Sequence, residues 1–196
     1  MSSMLRREQI LDAALQLATE QGFAAVTLDR VARESGTTRT EITEQFGDLP
    51  GLIASLVDRE AHNALAMLTQ KMAELPAGTD LAQAQMWIIQ AMIDTAATAP
   101  ASWRMMLNPA AGDPPELHHR TAAARTLVRE HVRKILVDKC SGNFPDPQLA
   151  AHVRQLVDEE MVRLHLSDPE LYPLDRIFRQ IEELAGVSPK ASPASG

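Results

Sequence analysis

The chain has 196 residues and a net charge of −7, and 45% of its residues are apolar, as in ordinary soluble globular proteins. No stretch of about 18 residues is both apolar and free of charge, so we expect no membrane span. The single cysteine, Cys140, excludes an intramolecular disulfide framework and favours a reducing, cytoplasmic location. Few aromatics and many Ala, Leu and Met residues favour helices over strands.

The first predicted helix is amphipathic. Ile10, Leu11 and Ala14 recur at helical spacing and form its apolar stripe. Gly22 is placed to end this helix, and Thr27 is placed to cap a second one. Because the first residues contain no uninterrupted apolar run, the pattern predicts a helix here rather than a signal peptide.

A third, short helix is predicted after a turn. Gly36 provides the turn, and Thr38 stands three residues before Glu41, which is the spacing of a capping box. Ile42 and Phe46 then form the buried face. Three short helices within the first 47 residues, the last two joined by a tight turn, have the geometry of a helix-turn-helix.

The charge of this region is unusual for a DNA-facing element. Residues 1–60 contain six arginines, no lysine and ten acidic residues, which gives a net charge of −4. Any contact with DNA must therefore come from a local patch and not from the overall field. In the third helix the capping box accounts for Glu41, whereas Glu44 has no such explanation.

Further helices are predicted along the rest of the chain. Asp48 is placed to cap a fourth helix with Pro50 in its first turn, and later prolines punctuate further helical segments. Segment 80–99 is apolar around most of its circumference, which predicts a central helix of a bundle. The acidic run 158–160 predicts a solvated helix face.

The sequence contains no motif of an enzyme or of a metal site. HExxH, GxSxG, the Walker loop and GxGxxG are all missing. His118 and His119 are adjacent, so they cannot share one helix face. We therefore expect no enzymatic activity, no cofactor and no metal.

Residues 6–57 resemble the tetracycline-repressor (TetR) family of bacterial one-component regulators. The matching stretch includes ILDAALQLATEQGFAAVTLDRVARESGTTRTEITEQFGDLPGLIASLV. The resemblance implies an all-α fold of about nine helices. A three-helix DNA-binding domain would occupy residues 1–47, and a larger helical ligand-binding and dimerisation domain would occupy residues 48–188. The small, polar residues 189–196 predict a flexible tail.

The resemblance also implies DNA contacts. Thr27 would touch a phosphate, and residues 38–40 would lead the recognition helix into the major groove, where Arg39 could bind guanine. The full expected set is Thr27, Arg30, Thr38, Arg39, Thr40, Thr43, Gln45 and Gly47. Thr43 and Gly47 stand where the family commonly has a tyrosine and a lysine that bind phosphate. Weak, salt-sensitive binding, or binding that depends on dimer geometry, is therefore expected.

For the C-terminal region the resemblance implies a ligand cavity and a dimer interface. The expected ligand-binding residues are Met86, Trp87, Met92, Trp103, Met106, His118 and Arg125. Segments 146–166 and 173–185 each carry an apolar stripe and would form an intersubunit four-helix bundle. The expected dimer residues are Leu149, Val153, Leu156, Met161, Leu174, Ile177, Phe178 and Ile181. The alternative for any single pocket residue is plain core filling, and the alternative for the two stripes is packing within the chain, which must use part of each.

These features predict a homodimeric, ligand-responsive transcriptional regulator. It would be a repressor that leaves palindromic double-stranded DNA when a small apolar or amphipathic effector binds. The alternative is a dimeric ligand-binding or protein-interaction module whose degenerate helix-turn-helix does not bind DNA. The acidic N-terminal region motivates that alternative.

Overall fold

The computed structural model describes residues 3–107, 112–140 and 144–184. In these ranges the chain forms nine α-helices, a short 3-10 helix at Phe23–Ala25, and no strand. The helices are α1 (Ser3–Gln21), α2 (Leu28–Ser35), α3 (Arg39–Phe46), α4 (Leu49–Ala73), α5 (Leu81–Thr98), α6 (Pro100–Leu107), α7 (Pro115–Asp138), α8 (Pro147–Ser167) and α9 (Leu174–Leu184). The predicted all-α fold of about nine helices is confirmed. Across the same ranges, none of these helices has the length and apolarity needed to cross a membrane.

The helix caps that the sequence predicted are present in the helix-turn-helix. The Thr27 side chain accepts a hydrogen bond from the backbone N–H of Arg30 at the start of α2. Gly36 ends α2 with a φ of 64°, in the left-handed region that glycine adopts at little cost. At the start of α3, Thr38 and Glu41 form both bonds of the capping box. Local sequence therefore fixes the turn and the direction of α3.

The junction between α3 and α4 is unusually tight. The N–H of Gly51 donates to Oδ1 of Asp48 at 2.8 Å, which caps α4 as the sequence predicted. A Cβ atom added at Gly51 would lie 2.0 Å from the carbonyl oxygen of Phe46. Because two backbone segments meet here, only glycine fits at this position.

Packing divides the chain into two compact units. Among the described residues, the first comprises those up to Met67 and those in Thr98–Thr126, and the second comprises Leu68–Ala97 and those from Leu127 onward. The predicted domain boundary after residue 47 falls inside the first unit, so it stays a prediction about function. The predicted tail, residues 189–196, lies outside the described residues.

The core of the first unit is the apolar side of the helix-turn-helix helices and of the beginning of α4. Its fully buried members include Ile10, Leu11, Val31, Ile42, Leu52 and Leu56, and Phe23 packs against the cluster. A smaller cluster joins Ile53 and Val57 of α4 to Met105 and Leu117. The apolar stripes of α1, α3 and α4 therefore face inward, as their spacing predicted.

In the second unit, α5 is buried around most of its circumference, as the sequence predicted. Helix α8 is different, because polar residues occupy its inward face. Gln155, Asp158 and Glu159 are buried, together with Ala151 and Val162. The prediction that the acidic run 158–160 is a solvated face is therefore wrong for Asp158 and Glu159, because the second unit packs over that side of α8.

Candidate functional site

The N-terminal end of α3 presents three consecutive exposed side chains, those of Thr38, Arg39 and Thr40. Behind them, the Glu41 carboxylate accepts from the backbone N–H of Thr38 at 2.8 Å and from its hydroxyl at 3.2 Å. These bonds, with a smaller contribution from the charge of Arg6, hold the pKa of Glu41 below its ordinary value. The negative charge of Glu41 thus stabilises the start of its own helix.

Arg39, the predicted guanine-binding residue, already has a partner in the chain. Its guanidinium lies 3.2 Å from Oδ2 of Asp29 on α2, and both side chains are more than 60% exposed. An exposed ion pair of this kind contributes only about 0–1 kcal/mol. Arg39 can therefore exchange Asp29 for a base or a phosphate at small cost.

The residues predicted to bind phosphate differ in whether their hydrogen-bond donors are already used within the chain. Thr27 uses its oxygen to accept from Arg30, at 3.3 Å, which leaves its hydroxyl hydrogen available to a phosphate. The Thr43 hydroxyl donates to the carbonyl of Arg39 at 2.6 Å. The N–H of Gly47 donates to the carbonyl of Thr43 at 2.9 Å. The donors of Thr43 and Gly47 are therefore already bonded to carbonyls of α3, and the DNA-binding roles of these two residues stay predictions.

The remaining cationic groups around α3 come from α1 and α2. Arg30 donates to the Gln21 side chain at 2.6 Å, and the Arg7 guanidinium stacks 4.3 Å from the centre of the Phe46 ring. Arg33 and Gln45, in the last turns of α2 and α3, complete the polar surface. The cationic side chains that could form a local DNA-binding patch on this acidic region are thus all arginines.

The predicted dimer residues fall into three groups. Leu149, Val153 and Leu156 on α8 are 58%, 50% and 58% exposed, so they form an apolar face that the described part of the chain does not cover. Ile177 and Ile181 on α9 are buried within the chain. The remaining three, Met161, Leu174 and Phe178, are half-buried. The interface itself stays a prediction, with α8 as its best-exposed element.

The predicted ligand residues are divided between the units. In the second unit Met92 is buried, Met86 is half-buried and Trp87 is 38% exposed. The first unit contains Trp103, Met106, His118 and Arg125. Of these, Trp103 is buried and its indole Nε1 has no hydrogen-bond partner, whereas His118 is exposed. Arg125 donates to the carbonyl of Met106 at 3.3 Å.

Each unit contains a small cavity within the described ranges. The cavity of the first unit, about 170 Å³, is lined by Ala18, Thr19, Gly22, Phe23, Arg104, Met105, Asp113 and Leu117. The cavity of the second unit, about 220 Å³, is lined by Thr69, Met72, Ala73, His131, Lys134, Ile135, Asp138 and Lys139. Neither wall contains a predicted ligand residue. The described ranges also contain no group of three His, Cys, Asp or Glu side chains that could hold a metal ion.

A buried polar cluster in the second unit joins α5 to α8. Oδ1 of Asp158 accepts from the Gln85 amide at 2.9 Å, and Oε1 of Gln85 accepts from Arg154 at 2.9 Å. Gln155 donates to Glu159 at 2.9 Å and accepts from Arg129 of α7 at 3.1 Å. Oδ2 of Asp158 is buried without a hydrogen-bond partner. Burial raises the pKa of this carboxyl to about 7, against the opposing effects of Gln85 and Arg154.

A second polar network, in the first unit, centres on Arg59 of α4. Its guanidinium contacts Glu8 and Asp12 of α1 at 3.0 and 2.8 Å, and Glu60 at 2.7 Å. Glu60 is buried, and its other oxygen accepts from the Ser102 hydroxyl of α6. One arginine therefore connects three carboxylates, and α1, α4 and α6 are linked by polar contacts as well as by packing.

The N-terminal region matches a known family. Residues 10–55 match the family model described as bacterial regulatory proteins, tetR family. Over 55 residues, 28% of this chain and 26% of the relative, the chain is 42% identical to the HTH-type transcriptional regulator SrpR of Pseudomonas putida. The matches to curated relatives span between 26% and 41% of those proteins' lengths.

Solved structures share the fold along nearly the whole chain. A TetR-like transcriptional regulator from Rhodococcus sp. RHA1 has a TM-score of 0.69 at 18% identity, covering 97% of this chain and 100% of that one. The regulator FadR from Bacillus subtilis, in complex with stearoyl-CoA, has a TM-score of 0.65 at 15% identity, covering 90% of this chain and 96% of that one. The helix-turn-helix region of this chain thus belongs to the tetR family of bacterial regulatory proteins, and the chain as a whole has the fold of TetR-like regulators.

Proposed function

We propose that this protein is a homodimeric, DNA-binding transcriptional repressor that a small apolar or amphipathic effector releases from a palindromic site. The observation that carries the proposal is the N-terminal end of α3. A capping box fixes its direction, and Thr38, Arg39 and Thr40 are exposed there in a helix-turn-helix of the tetR family. This is the part of a recognition helix that contacts base edges in the major groove.

Two copies of α3 are needed for tight binding. Each supplies Arg39 as a bidentate guanine ligand, worth about 1–3 kcal/mol of discrimination against a wrong base. The phosphate contacts of one copy are few, because Thr43 and Gly47 use their donors within α3. A two-fold dimer held through the exposed α8 face would place the second copy about one DNA turn away and double these contacts.

The effector would act through the dimer geometry. A ligand that favours a state in which the two α3 helices are wrongly spaced lowers operator affinity about 5- to 150-fold if the coupling is about 1–3 kcal/mol. Buried polar atoms without partners, Nε1 of Trp103 and Oδ2 of Asp158, support ligand binding because such atoms are costly unless something bonds to them. The complex of FadR with stearoyl-CoA supports a ligand with an apolar chain for this fold.

One observation favours a second candidate function. The region of residues 1–60 has a net charge of −4, and α3 itself carries Glu41 and Glu44 beside the single Arg39. A chain that had lost DNA binding would need no cationic surface. The second candidate is therefore a dimeric ligand-binding or protein-interaction module with a structural helix-turn-helix.

A DNA titration separates the two candidates. Fluorescence anisotropy of the purified protein is measured against DNA from upstream of its own coding region, with an unrelated duplex as control, at roughly 50 and 200 mM salt. The proposal expects specific binding with a shallow salt dependence, in contrast to the salt-sensitive binding expected from the sequence, because each missing phosphate contact removes about 0.9 from the slope of log affinity against log salt. Equal binding to both duplexes, or none at low salt, would favour the second candidate.

A further inference from the structure

The inward face of α8 carries a polar cluster with one unmet hydrogen bond. Asp158 is 2% exposed, and the amide of Gln85 is its one hydrogen-bond partner in the described ranges. Its second oxygen, Oδ2, is buried and bonds to nothing. Burying a carboxylate oxygen without a donor is costly, so an unpartnered one indicates a missing partner.

The charges around Asp158 indicate what kind of partner is missing. Arg154, the nearest cation, donates to the Gln85 side chain and to the carbonyl of Leu81, and it forms no ion pair with Asp158. Glu159, the neighbouring acid on the same face, adds negative charge and raises the pKa of Asp158 further. The site therefore has an acceptor without a direct counter-charge, and it attracts a donor that is positively charged.

Beyond the polar cluster, the next turns of both helices carry buried apolar residues. On α5, Ile89 and Met92 follow Gln85 at helical spacing and are buried. On α8, Val162 follows Asp158 by four residues and is fully buried. A molecule that reaches Asp158 with a charged group therefore meets apolar side chains with the rest of its surface.

We propose that Asp158 is the anchor of a binding site for a cationic amphipathic molecule, whose ammonium group donates to Oδ2 and whose apolar body packs along α5 and α8. A single carboxylate is too few ligands for a divalent metal ion. An anionic ligand would be repelled by Asp158 and Glu159. As an assignment of the effector class, the inference rests on the proposed function; as a binding site, it stands alone.

The test uses three probes with the same apolar chain: decylamine, decanol and decanoate, each below the concentration at which it aggregates. Their affinities for the full-length protein are measured by the shift of its thermal unfolding and by the change in tryptophan fluorescence. Wild type is expected to bind decylamine at least roughly tenfold more tightly than decanol, because a hydrogen bond to a charged group is strong. Decanoate is expected to bind most weakly.

Two variants of α8 sharpen the test. Asp158→Asn keeps the shape of the side chain and is expected to bind decylamine and decanol about equally. Glu160→Gln, which removes the same charge from the exposed side of the same helix, is expected to keep the wild-type preference. No preference for the amine in wild type, or an undiminished preference in Asp158→Asn, would overturn the inference.

A wild-type measurement covers the case in which Asp158→Asn does not fold. Because decylamine is protonated throughout, its advantage over decanol should grow from pH 5.5 to pH 8 as Asp158 ionises. A constant advantage over that range would count against Asp158 as the anchor. The charged groups nearest to it are Arg154 and Glu159.

Failure of the inference can be told apart from failure of the proposed function. Amine binding that depends on Asp158, in a protein that binds no specific DNA, would uphold the site and refute the regulator. Specific DNA that is released by decanol or decanoate but not by decylamine would uphold the regulator and refute the assignment of a cationic molecule as its effector, whereas the amine-binding measurements alone decide the site.

Discussion

The helix-turn-helix and α8 bury opposite kinds of side chain. In α1 to α3 the apolar stripes face inward, apart from the exposed Met4 and Leu5 in the first turn of α1, and residues 38–40 face outward. In α8 the inward face contains Gln155, Asp158 and Glu159, whereas Leu149, Val153 and Leu156 are exposed. The helix-turn-helix buries its apolar stripes within the chain. In contrast, α8 exposes an apolar face on its outer side and holds an oxygen without a hydrogen bond, Oδ2 of Asp158, on its inner side.

This difference shows which kinds of surface are stable within one chain and which gain stability when another molecule binds. A helix whose apolar stripe is already buried needs no partner for its stability. An exposed leucine stripe and a buried unpaired carboxylate both carry a cost, and each is relieved by something that binds. The inverted pattern of α8 therefore motivates both proposals, an interface on its outer face and a ligand at its inner face, and substitutions in the two regions should behave differently.

The largest effect is expected at Gly51, where the helix-turn-helix depends on close packing of its backbone. Gly51→Ala would place a methyl group 2.0 Å from the carbonyl oxygen of Phe46, so the junction of α3 and α4 must shift. We expect a loss of about 4 kcal/mol or more in the free energy of unfolding, measured by urea titration. Gly112→Ala, where an added Cβ meets nothing within 4 Å, is the control. Equal losses in the two variants would contradict the steric explanation.

At Asp158 the inner face of α8 should impose a pH dependence on stability. Because the unfolded carboxyl ionises near pH 3.8 and the folded one near pH 7, the folded chain holds the proton longer, and stability falls between these values as pH rises. Asp158→Asn removes this loss, so its advantage in unfolding free energy over wild type should grow to at most about 4 kcal/mol above pH 7. Thermal unfolding at pH 5 and pH 8 measures the trend, and Glu160→Gln should not show it.

Leu156 tests the outer face of α8. In the proposed symmetric interface, Leu156→Glu would replace two leucines, each worth about 1.5–3 kcal/mol when buried, by two carboxylates. We expect the dimer dissociation constant to rise at least about 100-fold, measured by analytical ultracentrifugation. Asn63→Glu, on an exposed position of α4, should leave the dimer unchanged. A dimer that persists in Leu156→Glu would show that this face is not the interface.

Arg39 tests the outer face of the helix-turn-helix. Arg39→Ala is expected to lower specific DNA affinity by about 1–3 kcal/mol per half-site, with a smaller change for unrelated duplex. Arg33→Ala removes an exposed arginine of α2 and should weaken both duplexes to a similar, smaller extent. Anisotropy titrations of both variants decide the matter. Parallel losses in the two variants would indicate that Arg39 contacts phosphate rather than a base.

Asp29 should give the smallest effect, in the opposite direction. Asp29→Asn releases Arg39 from its exposed ion pair and is expected to tighten DNA binding by about 0.2–1 kcal/mol. Glu20→Gln removes an exposed acid of α1 as a charge control. If both changes tighten binding equally, the gain reflects reduced repulsion of DNA rather than the release of Arg39.

The sequence predicted best what depends on neighbouring residues. The caps at Thr27, Thr38 and Asp48 follow from hydrogen bonds within one turn of helix, and each is confirmed. The orientation of α8 could not be read in this way, because its leucines and its polar residues both recur at helical spacing. Which face is inward depends on packing partners distant in sequence, such as Gln85, 73 residues before Asp158. The site residues of the proposed interfaces stay predictions for the same reason.

The network around Arg59 also constrains how this chain can change over time. Because one guanidinium serves Glu8, Asp12 and the buried Glu60, losing it alone leaves the buried Glu60 without its counter-charge. Lysine offers a compact ammonium in place of the planar fork and cannot take over all three contacts. We therefore expect substitutions at positions 8, 12, 59 and 60 to be correlated among homologues rather than independent.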